Sequence, residues 1–303
     1  MGNFSIVNNI AAINAQNKLV VTDLKLRNTL TRLSSGLRIN SSGDDAAGLA
    51  IADGLRADVR ALNQAARNAN DGVSILQTAD SALNEISLLL TRAVTLAEQA
   101  ASGTSGQDGS DSKLALDDEF QDILREITRI AQSVEFNELN LVGGASTGAS
   151  TGTPSISIQV GLDDSTAAKI VINTVSVNVA GTATASFTPG TATSRINLQL
   201  GFLGTDLTTA DNAVIVLSRL QDAITNVART RGVLGSGINR LNTTTNIIRS
   251  LATNLQGAES QIRDANIASE IVNLTQFQIL TQTGIAALAQ ANLAAQNVLT
   301  LLR

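Results

Sequence analysis

Residues 258–303 read AESQIRDANIASEIVNLTQFQILTQTGIAALAQANLAAQNVLTLLR, and this stretch decides the fold class. It holds no proline, and Gly284 is its only glycine. Apolar side chains recur at helical spacing as far as Leu301 and Leu302. Most soluble domains finish in polar, frayed tails. The pattern therefore predicts a long helix with an apolar surface that some other element must cover.

The other end of the sequence carries the same kind of pattern. Residues 3–35 contain neither glycine nor proline, and a helix is predicted over residues 5–33. One apolar row at helical spacing consists of Ile6, Ile10, Ile13, Val20 and Leu24. A second row consists of Leu26, Leu30, Leu33 and Leu37. Such a change of face is expected where one packing partner gives way to another.

The composition limits the functions open to the chain. Only 2% of the 303 residues are aromatic, so a core has to be built from Ala, Leu, Ile and Val in close-packed helices. The absence of cysteine and histidine excludes disulfides, thiolate nucleophiles and imidazole bases. A net charge of −5 and a pI of about 4.8 argue against a nucleic-acid partner. The sequence shows no membrane span and no cleavable signal, so no membrane partner is expected.

The middle of the chain differs from its flanks. Both prolines, Pro154 and Pro189, lie there, and long helices are predicted on either side over residues 46–100, 114–134 and 209–255. The last helix is predicted from about residue 258. Alternating apolar residues over 155–160 and 169–180, with a turn at 161–166, predict a β-hairpin. Asp44 is predicted to cap the second helix.

These elements predict a mainly α fold. Its core is long antiparallel helical rods, or a coiled coil, formed by the N- and C-terminal segments, with a small β-hairpin region in the middle. One domain is predicted to combine residues 1–43 with 258–303, and a second to span residues 44–257 with the hairpin at about 155–179.

The terminal helices carry more apolar surface than one pair can bury. Along the last helix one heptad row holds Ile267, Leu274, Leu288, Ala295 and Leu302, and a neighbouring row holds Ile271, Ile285 and Leu299. The amides of Asn17, Gln278 and Asn292 interrupt these rows, and amides on a coiled-coil seam fix its register. Further apolar residues spread beyond both rows, so neighbouring copies of the chain are the expected cover.

Three stretches resemble bacterial flagellin. The sequence LSSGLRIN at 33–40, followed by DDAAG at 44–48, is similar to the N-terminal signature of the family. NDGVSILQTAD at 70–80, with ALNEI at 82–86, resembles its first rod helix. AQANL at 289–293, QNVL at 296–299 and LLR at 301–303 resemble its C-terminus. The matches follow the order of the family and cover about two thirds of the chain.

This resemblance implies a subunit that self-assembles into the flagellar filament used for motility, not an enzyme. In the family the paired terminal helices form an inner tube, and the following helices with a hairpin form an outer tube. A short variable insert at about 180–204 implies no large outer domain. The family is exported without a cleaved signal and acts outside the cell. A hook–filament junction protein of the same export system is the alternative function, and an enzyme or adhesin with a helical scaffold is a more distant rival.

The resemblance and the apolar rows together single out three groups of residues. Those expected to drive polymerisation are Ile6, Ile10, Ile13, Val20, Leu24, Ile271, Leu274, Ile285, Leu288, Leu293, Val298, Leu299 and Leu302. An innate-immune receptor motif is matched at Arg92, Leu96 and Gln99, although Thr95 stands where well-recognised members carry an acidic residue. The expected contacts of the family's export chaperone are Ile271, Leu274, Ile279, Leu280, Leu288 and Leu293. Cap and junction proteins are further partners that the resemblance implies.

No cofactor, metal or catalytic site is expected. The paired acids at 44–45, 117–119 and 163–164 lie at predicted helix starts and turns, where carboxylates act as caps and solvated surface. A glycosidase-like pair is the alternative reading of these acids. The glycines Gly232, Gly235 and Gly237 follow no predicted strand, so nucleotide binding is not expected.

Overall fold

The computed structural model describes residues 9–142, 156–163, 165, 168–172, 175–178, 196–199 and 206–301. Only the backbone is described at 172, 175–178, 196–199 and 294–301. Two predicted polymerisation residues, Ile6 and Leu302, lie outside the described residues, and the side chains of Val298 and Leu299 are not described.

Long helices dominate the described chain, and the predicted mainly α fold is confirmed. They are α1 at Ile10–Ser35, α2 at Ala46–Ala101, α3 at Asp111–Ser133, α4 at Ala210–Arg263 and α5 at Ile267–Leu301. A short 3-10 helix at Gly103–Ser105 follows α2. The glycines at 232, 235 and 237 lie within α4 without interrupting it. Among the described helices, none has an apolar stretch that would suffice to cross a membrane.

The strands form three short pairs in the described residues. β1 (Glu135–Phe136) pairs antiparallel with β2 (Leu139–Asn140). β3 (Ile156–Gln159) pairs antiparallel with β4 (Lys169–Ile172), and Ile158 faces Ile170 in the register. β5 (Val175–Asn178) pairs in parallel with β6 (Ile196–Gln199).

The hairpin predicted over residues 155–179 is therefore formed by β3 and β4 and ends at Ile172, whereas β5 pairs elsewhere. The spacing of apolar residues explains why β5 does not continue this hairpin. Ile170 and Ile172 occupy even positions, while Val175 and Val177 occupy odd ones. Because side chains alternate between the two faces of a strand, this change of phase prevents one continuous apolar face.

The break before the last helix lies at residues 264–266, not near residue 258. Gly257 has open space around its Cα and is accommodated inside α4. Asn266 provides the stop and restart, because its Oδ1 accepts from the backbone N–H of Ser269 at 3.2 Å and so caps α5. The predicted start of the last helix at about residue 258 was thus wrong by about two turns.

The described chain divides into two compact units. The first, which we call the terminal unit, comprises Met1–Val59 and Thr253–Arg303, and the second, the central unit, comprises Arg60–Ala252. The core of the central unit comes from α2, α3 and α4. Its most buried large side chains include Leu62, Leu83, Ile86, Leu90, Phe120, Ile127, Val216 and Leu220.

A polar clamp sets the register of α2 against α4 in the central unit. The guanidinium of Arg231 donates from Nε to Asp80 Oδ1 at 2.8 Å and from Nη1 to Asn84 Oδ1 at 2.9 Å. The hydrogen bond with Asp80 raises the pKa of Arg231 above its usual value. Such a two-point contact fixes the helices along their axes, which apolar packing alone does less strictly.

The β3–β4 hairpin rests on a glycine of α2. A Cβ placed on Gly72 would lie 2.0 Å from Ile158 Cδ1 and 3.3 Å from Leu241 Cδ1. The buried side chain of Ile158 therefore occupies the space that any larger residue at position 72 would need. Asn68 adds a hydrogen bond from Nδ2 to the carbonyl oxygen of Gln159 at 3.2 Å.

Gly72→Ala should therefore destabilise the chain by about 1–3 kcal/mol, because the new methyl group overlaps Ile158. Urea unfolding followed by circular dichroism measures the effect, and Gly72→Ala combined with Ile158→Val should recover part of it. Gly235→Ala is the matched control, since position 235 is helical with nothing within 4 Å. It should stabilise α4 by up to about 1 kcal/mol. A Gly72→Ala variant with the same free energy of unfolding as the parent chain would contradict the packing of the hairpin on this glycine.

Candidate assembly surface of the terminal helices

The two chain breaks of the terminal unit are bonded to each other. α1 ends at Gly36, whose φ of +73° is left-handed and whose N–H donates to Arg32 O at 2.9 Å. The backbone N–H of Arg38 donates to Arg263 O at 2.6 Å, and that of Ala265 donates to Gly36 O at 2.9 Å. The end of α1 and the start of α5 are thereby fixed at the same level.

The helix cap predicted at Asp44 is instead provided by Asp45. Asp45 caps α2, because its Oδ1 accepts from Gly48 N at 2.9 Å. Asp44 Oδ2 closes the preceding loop and accepts from Ser41 N at 3.0 Å and Asn40 N at 3.2 Å. These two backbone donors, Ser41 first, hold the pKa of Asp44 below its usual range. The prediction that Asp44 caps the helix was wrong by one residue.

Arg32 connects this loop to α5. Its Nη2 lies 3.2 Å from Asp44 Oδ1, and its Nη1 lies 3.8 Å from Glu270 Oε1. Glu270 is only 9% exposed. Arg32 Nε and Glu270 Oε2 are buried without a hydrogen-bond partner. The pair fixes the level of α1 on α5 and carries polar atoms that packing has shielded from solvent.

Two further ion pairs join α4 to α2 within the terminal unit. Arg56 Nη2 lies 2.8 Å from Glu259 Oε1, and Arg263 Nη1 lies 3.2 Å from Asp53 Oδ1. The carboxyl of Glu259 and the guanidinium of Arg263 are largely buried. Sequence patterns did not identify these pairs, because their members are 203 and 210 residues apart.

α1 and α5 run antiparallel along a narrow seam. Asn9 Nδ2 donates to Ala291 O at 3.0 Å at one end, and Arg32 meets Glu270 at the other. Between them, a Cβ on Gly284 would lie 3.1 Å from Leu19 Cδ1, so the two backbones approach closely there. The buried or half-buried seam positions of α1 are Ala12, Ala15, Leu19, Thr22, Leu26, Thr29 and Leu33. Those of α5 are Glu270, Leu274, Phe277, Thr281, Gly284, Leu288 and Ala291.

The predicted polymerisation residues divide between this seam and the outer surface. Leu274 and Leu288 lie half-buried on the seam. The remainder with described side chains are exposed: Ile10 63%, Ile13 49%, Val20 54%, Leu24 57%, Ile271 49%, Ile285 55% and Leu293 51%. The seam of α1 therefore combines leucines with alanines and threonines, while its isoleucines and valines with described side chains lie on the exposed surface.

The amides do not lie where the seam prediction placed them. Asn17, Gln278 and Asn292 are all exposed, so they do not set the register between α1 and α5 of one chain. That register depends on the ends, at Asn9 and Arg32, and on the close approach at Gly284. The prediction failed because two heptad rows of one helix have the same period, and spacing alone does not say which row faces the partner.

The receptor-like motif lies on α2 in the central unit. Arg92 and Gln99 are exposed, whereas Leu96 is 2% exposed and belongs to the core. Arg92 donates from Nη2 to Glu119 Oε1 of α3 at 2.7 Å, a partner that the sequence did not reveal. Thr95 is exposed beside Arg92 and donates from Oγ1 to the Arg92 carbonyl at 2.7 Å. Only two of the three motif side chains can be reached from outside.

The acids considered for catalysis serve as hydrogen-bond acceptors. Asp117 Oδ1 accepts from Leu207 N at 2.9 Å, and Asp163 Oδ1 accepts from Ser165 Oγ at 3.0 Å. Asp164 lies outside the described residues. No group of three acids within the described ranges could hold a metal ion.

Acid should open the Asp44 loop. The folded-state pKa of Asp44 is lowered, so its contribution to stability is present above the ordinary aspartate pKa of about 3.9 and is lost as the pH falls through the folded-state pKa. Asp44→Asn should remove this pH dependence and speed amide hydrogen exchange at Asn40 and Ser41 by about tenfold or more at neutral pH. Exchange followed by mass spectrometry measures both effects. Asp23→Asn, which removes only the exposed pair with Arg27, should leave exchange at both amides unchanged.

Comparisons with known proteins match both ends of the chain. Residues 6–147 match the family model described as the bacterial flagellin N-terminal helical region, and residues 217–302 match the bacterial flagellin C-terminal helical region. A flagellin of Halalkalibacterium halodurans is 35% identical over 298 residues, covering 98% of this chain and 99% of the relative. A flagellin of Bacillus subtilis is 36% identical over 304 residues, with the same coverage. The crystal structure of Bacillus cereus flagellin is 28% identical, covers 64% of this chain and 94% of that one, and has a TM-score of 0.45.

Proposed function

The chain belongs to the bacterial flagellin family and is a structural subunit of the flagellar filament, not an enzyme, and we propose that its copies join through the outer surface of α1 and α5. The observation that carries this proposal is the set of large apolar side chains that α1 and α5 leave exposed. Contiguous exposed apolar surface on a soluble chain marks an interaction site.

The gain from covering these side chains is large enough to drive assembly. Fully burying one Ile, Leu or Val side chain contributes about 1.5–3 kcal/mol. These residues are roughly half exposed, so each recovers a part of that amount when a neighbour covers it. Because many copies contact one another along a filament, small gains per residue add up over each subunit.

This surface also supports a proposal for the domain organisation. We propose that residues 1–43 and 258–303 form the inner tube of the filament, and that residues 44–257 form the rod around it, with no large outer domain. The bonded breaks at Gly36 and Ala265 support a boundary at that level. We further propose that the terminal helices gain order when neighbours bury them, since most of the stability of a helix in a protein comes from the packing of its apolar face.

We also propose a place of action and partners, which the likeness to the family supports. The chain is exported to the outside of the cell without a cleaved signal and meets the flagellar cap and junction proteins at the growing end. The export chaperone covers α5 before assembly. Its proposed contacts Ile271, Ile279, Leu280 and Leu293 are exposed on the free chain, whereas Leu274 and Leu288 are available only where α5 separates from α1. No observation favours the junction-protein alternative.

Substitutions on and off the seam separate assembly from folding. Ile285→Asp places a carboxylate on the outer surface, so the unassembled chain should unfold within about 0.5 kcal/mol of the parent. In the filament the same carboxylate would be buried without a partner, which costs several kcal/mol. The critical concentration for polymerisation should therefore rise by at least about 100-fold. Sedimentation of filaments measures it.

Two variants serve as controls for this substitution. Leu288→Asp, on the seam, should lower the stability of the unassembled chain as well as its assembly, whereas Ile285→Leu keeps the apolar contact and should assemble normally. Filaments that form from Ile285→Asp at the parent's critical concentration would refute the proposed surface.

Recognition by the innate-immune receptor is the weakest of the proposed partnerships. Arg92 is already paired with Glu119, and Thr95 supplies no charge beside it. Thr95→Glu should raise receptor signalling in a reporter-cell assay, because it restores the acidic residue of well-recognised relatives at an exposed position. Thr95→Gln is the neutral control of equal size. Equal signalling from both variants would remove the motif from the proposed function.

A further inference from the structure

α1 and α5 enclose an open groove along one side of their seam. It has a volume of about 780 Å³, and its apolar lining consists of Ala11, Ala15, Leu19, Val21, Leu280 and Ala287. Gly284 lies in this lining, at the point where the two helices come closest. Several of the lining residues are alanine or glycine, so the groove leaves room for larger side chains of another molecule.

The groove lies on a definite flank of each helix. On α1, Ala11 and Lys18 line the groove and directly precede the seam residues Ala12 and Leu19. On α5, Leu280 and Ala287 line it and directly precede Thr281 and Leu288. One residue corresponds to a rotation of about 100° around a helix. The flank that precedes the seam therefore faces the groove on both helices.

Four exposed isoleucine and valine residues lie on the opposite flank. Ile13 and Val20 directly follow Ala12 and Leu19, which turns them away from the groove. On α5, Ile285 lies four residues after the seam residue Thr281, which rotates it by about 40° away from the groove. Ile271 lies two heptads before Ile285 and therefore on the same side of the helix. We call Ile13, Val20, Ile271 and Ile285 the ridge. Its members are 49–55% exposed.

We propose that the ridge of one copy of the chain enters the groove of the next copy. This inference rests on the proposed function and makes it specific, since it names the two faces that meet. The contact is heterologous: the face that a copy offers differs from the face that it accepts. Heterologous contacts do not close between two copies, so they build an open polymer.

Shape and charge both favour a second copy as the occupant. Isoleucine and valine on the ridge match alanine and glycine in the groove, as knobs match holes in packed helices. From Ile271 to Leu301, α5 carries no Asp, Glu, Lys or Arg, so its part of both faces can be covered without removing a charge from water. Lys18 is the one charged residue that lines the groove.

The absence of cysteine from the chain allows a direct test. Ala287→Cys marks the groove, and Val20→Cys marks the ridge. The two single variants are polymerised separately and as an equal mixture, and the filaments are treated with a short bismaleimide. Denaturing gels then report covalent dimers. A second ridge variant, Ile271→Cys, repeats the mixture so that the axial offset between copies does not decide the result.

Mixed filaments should give dimers at a level at least about tenfold above either single-variant filament, because a heterologous contact never brings two groove residues or two ridge residues together. Should a variant assemble poorly alone, the same comparison is made in filaments diluted with the unsubstituted chain. Dimers in filaments of Ala287→Cys alone would show that the groove meets itself and would overturn the inference.

Filaments that yield no dimers in the mixture with either ridge variant would overturn it as well. Electron microscopy of the unsubstituted chain separates this failure from the failure of the proposed function. Filaments without cross-links refute the ridge-and-groove contact alone, whereas the absence of filaments refutes assembly itself.

Discussion

A pair of helices can bury only the stripe along which the helices touch, and this constraint governs the terminal unit. α1 and α5 each carry more than one apolar row, and the seam between them takes one row from each. The helices come close at Gly284 and Leu19, because glycine leaves room there for the leucine side chain. The apolar side chains of the other rows, Ile13 and Ile285 among them, are left outside. In the central unit, by contrast, Phe120 and Leu83 are completely buried by the chain itself.

The sequence predicted the helices well and their orientation poorly. Spacing located α2 to within a residue, because 56 positions that share one period leave little choice for its ends. It did not tell which row of α1 faces α5, since Ile13 and Ala12 both belong to rows of period seven. The row of Ala12 continues with Leu19, Leu26 and Leu33, so both rows are apolar enough to form the seam. Hydrophobicity and spacing therefore identified α5 as the partner of α1, but not the row of α1 that faces it.

Local errors of prediction have a common cause: side-chain hydrogen bonds that spacing does not reveal. Asn266 starts α5 with an amide that accepts from Ser269, while Gly257 stays helical. Asp44 and Asp45 are neighbours of one residue type, and only the donors around each distinguish loop closure from capping. Resemblance to a motif does not reveal burial either: Leu96 matches the receptor motif, yet its side chain belongs to the core.

The exposed amides acquire a role if the ridge is buried between copies. Gln278 lies midway between Ile271 and Ile285 on the same heptad row, so any neighbour that covers both isoleucines also covers this amide. A buried amide without a partner costs about 1–3 kcal/mol. A neighbour must then offer it a donor or acceptor, and only a few axial offsets can do so. An apolar ridge would attract any hydrophobic surface, whereas an amide within it restricts the partner to one that fits both chemically and in register.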